Sequence, residues 1–145
     1  MTYWLDLTGE EKILEIGTGS GYQTCLLAEF GGQVYTVERV ENLSSDAKDT
    51  LNKLGFKNCH FKIGDGSQGW GKFSPYERII CTSAASELPE DLVNQLAING
   101  IMIIPIGPST VQKLYKIKKR ENERLETEIL EHVRFVEFIG KYGWH

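Results

Sequence analysis

The run Leu14-Glu-Ile-Gly-Thr-Gly-Ser-Gly21 limits the possible folds more than any other stretch of the chain. Its three alternating glycines stand between a short apolar run, Lys12–Ile16, and a pattern of helical spacing over residues 20–30. Glycines there permit a tight turn and let a ligand approach the backbone. A helix start just beyond them supplies free N–H groups and positive potential. Strand, glycine turn and helix in this order predict an α/β fold, doubly wound around a mostly parallel sheet. Such sheets bind ligands outside the C-terminal ends of their strands.

The rest of the chain repeats the alternation. Apolar runs at 34–38, 59–63, 77–82 and 101–106 read as strands. Along the first helix Tyr22, Cys25, Leu26 and Phe30 share one side, and Gly31-Gly32 stops it. Leu43, Ala47, Leu51 and Leu54 recur at helical spacing before Gly55, and Pro89 opens a helix carrying Leu92, Val93 and Leu96. Pro105 cannot donate to a ladder and marks a strand end or a bulge. Past Gly107-Pro108 the pattern changes. Residues 113–119 and 133–138 read as two strands joined by the polar stretch 120–124, a C-terminal antiparallel addition to the sheet.

A chain of 145 residues fits one domain. Its net charge of −4 argues against a nucleic-acid partner, which needs a basic surface. Lys113, Lys116, Lys118, Lys119 and Arg120 do not change that, since Glu121, Glu123, Glu126 and Glu128 follow at once. No apolar run is long enough for a membrane span, and the start lacks the regions of a signal peptide. Cys25, Cys59 and Cys81 are far apart and form no CxxC pair, so neither a metal site nor a disulfide framework is expected. They read as reduced core residues of a cytoplasmic protein.

Three acidic positions accompany the glycines. Glu15 stands just before the loop, where a carboxylate repels pyrophosphate but suits an ammonium or sulfonium group. The GxGxG spacing also differs from the GxGxxG of dinucleotide-binding folds, which argues against a nicotinamide-dependent oxidoreductase. Glu38 closes the second strand, where a carboxylate accepts both hydroxyls of a ribose. Gly64-Asp-Gly66 follows the third, where Asp65 can take an adenine amino group and Gly66 allows close backbone approach. The three loops agree on a nucleoside-bearing ligand. After the fourth strand, Thr82-Ser-Ala-Ala-Ser86 is small enough to admit a peptide backbone or to pack against the next helix. His60, His132 and His145 have no catalytic setting, and no catalytic residue is assigned.

Lys12-Ile-Leu-Glu-Ile-Gly-Thr-Gly-Ser-Gly-Tyr-Gln-Thr24 resembles the first motif of class I S-adenosylmethionine-dependent methyltransferases. Its end, Tyr22-Gln-Thr24, is similar to that of the protein-L-isoaspartate O-methyltransferases in particular. Val37-Glu-Arg39, Gly64-Asp-Gly66 with Gly69-Trp70, and Pro75-Tyr76 before Arg78-Ile-Ile80 resemble the same family. So do Asn99-Gly-Ile-Met-Ile-Ile-Pro-Ile-Gly107 and Val133-Arg-Phe-Val136, all in order. The resemblance implies a Rossmann-like fold and S-adenosylmethionine as cofactor. It implies methylation of the carboxylate of L-isoaspartyl residues in damaged proteins, which starts repair through a succinimide. Carried over by position, Gly17, Gly19, Ser20 and Gly21, with Thr18 between them, hold the methionine part, Glu38 the ribose, and Asp65 with Gly66 the adenine. A carboxylate acceptor is ionised at neutral pH, so alignment and exclusion of water suffice without a general base. The family also carries a further segment ahead of the stretch matching Met1–Leu7, with a serine- or threonine-bearing motif near the reacting carboxylate. The expectation is therefore one cofactor-binding domain over residues 1–145, without that segment and with weakened transfer. The alternative is a non-catalytic S-adenosylmethionine-binding domain.

Overall fold

A computed structural model describes residues 1–133 of the chain. A 3₁₀ turn at Thr2–Leu5 precedes β1 (Lys12–Ile16), α1 (Tyr22–Phe30), β2 (Gln33–Glu38), α2 (Glu41–Lys53) and β3 (Cys59–Ile63). Two further 3₁₀ turns, Gly66–Gln68 and Gly71–Phe73, lead to β4 (Tyr76–Cys81), α3 (Glu90–Gln95), β5 (Leu96–Ile106), β6 (Gln112–Lys119) and β7 (Leu125–Val133). The strands lie in the order β3-β2-β1-β4-β5-β6-β7. β1 to β5 are parallel, while β6 runs antiparallel to β5 and β7 antiparallel to β6. The doubly wound α/β reading with an antiparallel C-terminal addition therefore holds.

β1 and β2 are almost wholly buried, as a parallel sheet covered on both faces requires. One face packs Leu14, Ile16, Tyr35, Val37 and Ile79 under Trp70, Phe73 and Leu92. The other packs Ile13, Val34, Ile80 and Ile103 under Leu5, Leu27 and Ala28. Lys119 is buried at the end of β6, where its ammonium donates to Val93 O at 3.1 Å and Leu96 O at 3.0 Å. It thereby pins the last turn of α3 to the sheet.

Several boundaries and faces differ from expectation. α1 begins at Tyr22 rather than residue 20, because the Gly21 N–H first closes a turn onto Thr18 O at 2.9 Å. Its inward face is Thr24, Leu27 and Ala28, whereas Tyr22 and Phe30 are 73% and 56% exposed. Hydropathy alone missed that face because a threonine is needed beneath α1, against a buried carboxylate. α2 likewise turns Ser44, Ala47 and Leu51 inward and leaves Leu43 and Leu54 exposed. β4 ends at Cys81, and Leu96 opens β5 instead of closing α3. The Pro105 expectation stands, since Pro105 is one residue from the end of β5. Among the described residues a strand that the sequence reading did not expect follows β6 at Leu125–Val133, and the strand expected at 133–138 is met only at Val133. Positions 134–138 of that reading, and His145, lie outside the described residues. β7 lies at the edge of the sheet among the described residues and carries Glu126, Glu128 and Glu131 between its apolar residues, so no long apolar run announced it.

Candidate functional site

β1, β2 and β3 are neighbours, so their C-terminal ends bring the glycine loop, Glu38 and Gly64–Gly66 to one edge. Gly17 turns the chain out of β1 with φ +95°, a conformation that side chains with a Cβ rarely adopt. Its N–H donates to Val37 O at 2.8 Å. A Cβ there would meet Thr82 Oγ1 at 2.4 Å, so bulk as well as backbone angle excludes other residues. Gly21 lets α2 approach, for a Cβ on it would stand 3.1 Å from the Ala47 methyl. A Cβ on Gly19, by contrast, would meet nothing within 4 Å, so open space lies above the middle of the loop.

Glu38 joins the loops. Its Oε1 accepts from the Gly19 N–H and its Oε2 from the Val40 N–H, both at 2.9 Å. Its backbone carbonyl accepts from the Gly64 N–H at 3.0 Å. One residue thus touches the glycine loop, the start of α2 and the loop after β3. Each carboxylate oxygen keeps lone-pair capacity for a further donor. Asp65 works mainly within its own loop. It accepts from the Ser67 N–H at 2.9 Å, the Ser67 hydroxyl at 2.6 Å and the Gln68 amide at 3.0 Å, capping the 3₁₀ turn that buries Gly66. Gln95 of α3 holds the far side of this loop, accepting from the Trp70 N–H at 2.9 Å and donating to Gln68 O at 2.8 Å.

Glu15 is placed differently from the other acids. It lies beneath the loop at 0% exposure. Oε1 accepts the hydroxyls of Thr24 from α1 and of Thr36 from β2, the latter at 2.7 Å. Thr36 in turn lies 2.6 Å from the Thr18 hydroxyl in the glycine loop. The other oxygen, Oε2, is buried with no partner among the described residues. Burial pushes this carboxyl up to about 7, the Thr24 and Thr36 hydroxyls pull the other way, and Glu38 adds a further upward push. Thr18 is buried with Glu15, whereas Ser20 is exposed at the helix start.

Gly17, Thr18, Gly19, Gly21 and Glu38 therefore form one unit, with Ser20 at its mouth and Asp65 and Gly66 beside it. Sequence reasoning missed Thr36 and Gln95, and it named Thr24 and Thr82 without the part they play in holding the loop. The one available signal was a threonine interrupting an apolar strand, Val34-Tyr-Thr-Val37, in register with Glu15. Among the described residues no group of His, Cys, Asp and Glu side chains converges as a metal site would require. No helix there is long and apolar enough to cross a membrane. Chemically, the crevice offers a carboxylate at its rim, backbone N–H groups at a helix start and a concealed acid below.

The family model described as Protein-L-isoaspartate(D-aspartate) O-methyltransferase (PCMT) matches residues 1–143. A protein-L-isoaspartate O-methyltransferase of Dictyoglomus turgidum is 54% identical over 99% of this chain, which spans 65% of that relative's length. A solved protein-L-isoaspartate O-methyltransferase superposes with a TM-score of 0.87 at 32% identity, covering 97% of this chain and 45% of its own. A Plasmodium falciparum structure of the same name, in complex with S-adenosyl-L-homocysteine, superposes with a TM-score of 0.76 at 28% identity, covering 89% of this chain and 66% of its own.

Proposed function

Because the chain belongs to the protein-L-isoaspartate O-methyltransferase family, we propose that it binds S-adenosylmethionine over the ends of β1, β2 and β3. We propose further that it takes part in transferring the methyl group to the carboxylate of L-isoaspartyl residues in damaged proteins. The carrying observation is the convergence at Glu38, whose carboxylate and carbonyl meet the Gly19 and Gly64 N–H groups. The residues fit such a ligand. Space lies open above Gly19, Glu38 has acceptor capacity for the ribose hydroxyls, and Gly66 is buried beside Asp65 where an adenine would lie. Gly17, Thr18, Gly19, Ser20 and Gly21 hold the methionine part, and Glu15 braces the loop from below through Thr36 and Thr18. Bound there, the cofactor supplies a methyl group already electrophilic on its sulfonium. The chain's part is then to orient and to exclude water, because an ionised acceptor needs no base. The small residues from Thr82 to Ser86 leave room for the acceptor's backbone.

The chain acts as one cofactor-binding domain, with isoaspartyl proteins or peptides as partners and no nucleic acid, metal or membrane in the reaction. Free thiols at Cys25, Cys59 and Cys81 favour a reducing compartment, the cytoplasm. Two measurements test the reading. Calorimetry is expected to detect S-adenosylhomocysteine binding and no NAD binding. Labelled methyl from S-adenosylmethionine is expected in an isoaspartyl peptide and not in its aspartyl isomer. NAD binding without S-adenosylhomocysteine binding would overturn the cofactor, and equal labelling of the two peptides would overturn the acceptor.

A further inference from the structure

Behind Gly17, one side chain joins two loops. The Thr82 N–H donates to Ile16 O at 3.0 Å. The Thr82 hydroxyl lies 3.0 Å from the same carbonyl and 2.8 Å from Gly17 O. The β1–β4 ladder ends at the pair Ile16 and Cys81, so Thr82 is the first residue beyond it. The β1–β2 ladder ends at Ile16 and Val37. Past those pairs no ladder holds the glycine turn. On the β2 side the Gly17 N–H reaches Val37 O, and on the β4 side the hydroxyl of Thr82 takes over.

We propose that the Thr82 hydroxyl is a positioning group that locks the glycine turn to the segment Thr82 to Ser86, so that cofactor loop and acceptor loop move as one unit. The second half rests on the methyl-transfer reading above. A glycine at φ +95° has more backbone freedom than other residues, so something must select one conformation. Packing alone does not. The space a Cβ would occupy on Gly17 is filled by Thr82 Oγ1 at 2.4 Å, which leaves room for the hydroxyl oxygen and for nothing larger on the glycine. Ser83 Oγ is next nearest at 3.3 Å, so the segment after β4 begins in contact with the turn. A hydroxyl directed at two carbonyls fixes their orientation. It also leaves the Gly19 N–H in place to meet Glu38. A valine is close in shape but loses both contacts, and its methyl must stand back from carbonyls that the hydroxyl approaches to 2.8 and 3.0 Å. A serine keeps both contacts and loses only a methyl.

Amide exchange in the ligand-free protein reads the turn directly. In Thr82→Val the Gly17 and Gly19 amides should exchange about tenfold faster, the effect of about one lost hydrogen bond, while the Leu14 and Ile80 amides keep their rates. Thr82→Ser should exchange like the parent. S-adenosylhomocysteine affinity, measured well below either protein's melting temperature, should fall about threefold to tenfold in Thr82→Val and should recover in Thr82→Ser. Parent-like exchange or parent-like affinity in Thr82→Val overturns the proposal, as does a serine variant as impaired as the valine one. If Thr82→Val does not fold, Thr82→Ala replaces it under the same criteria. If the parent itself binds no S-adenosylhomocysteine, the cofactor reading has failed, and exchange alone decides whether the hydroxyl holds the turn.

Discussion

Glu15 accepts two hydroxyl hydrogen bonds on one carboxylate oxygen and none on the other. Its carboxyl is raised to about 7 by burial first, against the pull of Thr24 and Thr36. In the unfolded chain it returns to the ordinary 4.5. The folded state therefore holds this proton more tightly, and stability from Glu15 falls as pH rises from 4.5 to about 7. The difference is on the order of 3 kcal/mol. Urea denaturation at pH 5 and pH 8 should show this loss in the parent and a much smaller one in Glu15→Gln. An identical change in both proteins would mean that Glu15 is not the group responsible. Glu11 provides the opposite sign within the same chain. Burial pushes its carboxyl up, but hydrogen bonds from Thr8 and Gly9 outweigh that and hold it below its usual range. Its contribution is present at neutral pH and is lost as acid protonates it, in either protein.

At the scale of elements, partners rather than propensity decide the faces. α2 presents Ala47 to Gly21, which is why its close side is small and its larger Leu43 faces outward. α3 has six residues, too short to be stable by itself, and depends on its contacts. Its last turn is held by the Lys119 ammonium on Val93 O and Leu96 O, and from that turn Gln95 reaches the loop beside Asp65. Lys119→Met keeps the stem and removes the charge-assisted bonds. It should lower stability by about 1–3 kcal/mol, the cost of leaving buried acceptors short of a donor. It should also weaken S-adenosylhomocysteine binding, because Gln95 loses its anchor. A urea midpoint equal to the parent's would show that solvent or the backbone replaces the ammonium without loss.

For the whole molecule, the strand order places β1 between β2 and β4, so the glycine loop is flanked by Glu38 on one side and Thr82 on the other. A ligand that binds only this folded arrangement stabilises it by mass action, about 2.7 kcal/mol at a hundred times its Kd. S-adenosylhomocysteine should therefore raise the parent's melting temperature. In Glu38→Ala the rise at the same concentration should shrink, because a hydrogen bond to a charged group is worth about 1.5–3 kcal/mol. An equal rise in both would reduce Glu38 to a brace for the loops. The α/β class, five parallel strands, the glycine turn and an acid at the end of β2 were all legible in the sequence. Each is a local property: apolar runs report burial, glycine reports a backbone angle, and both are written within a few residues. The strand β7 was not legible, because Glu126, Glu128 and Glu131 leave its apolar residues without a long continuous run. Nor were the inward faces of α1 and α2, or the roles of Thr24, Thr36, Thr82 and Gln95. Those roles exist only where residues apart in the chain come within about 3 Å, the reach of a hydrogen bond, and strand order, register and the packing of the helices on the sheet decide which hydroxyls reach Glu15 and which stands behind Gly17.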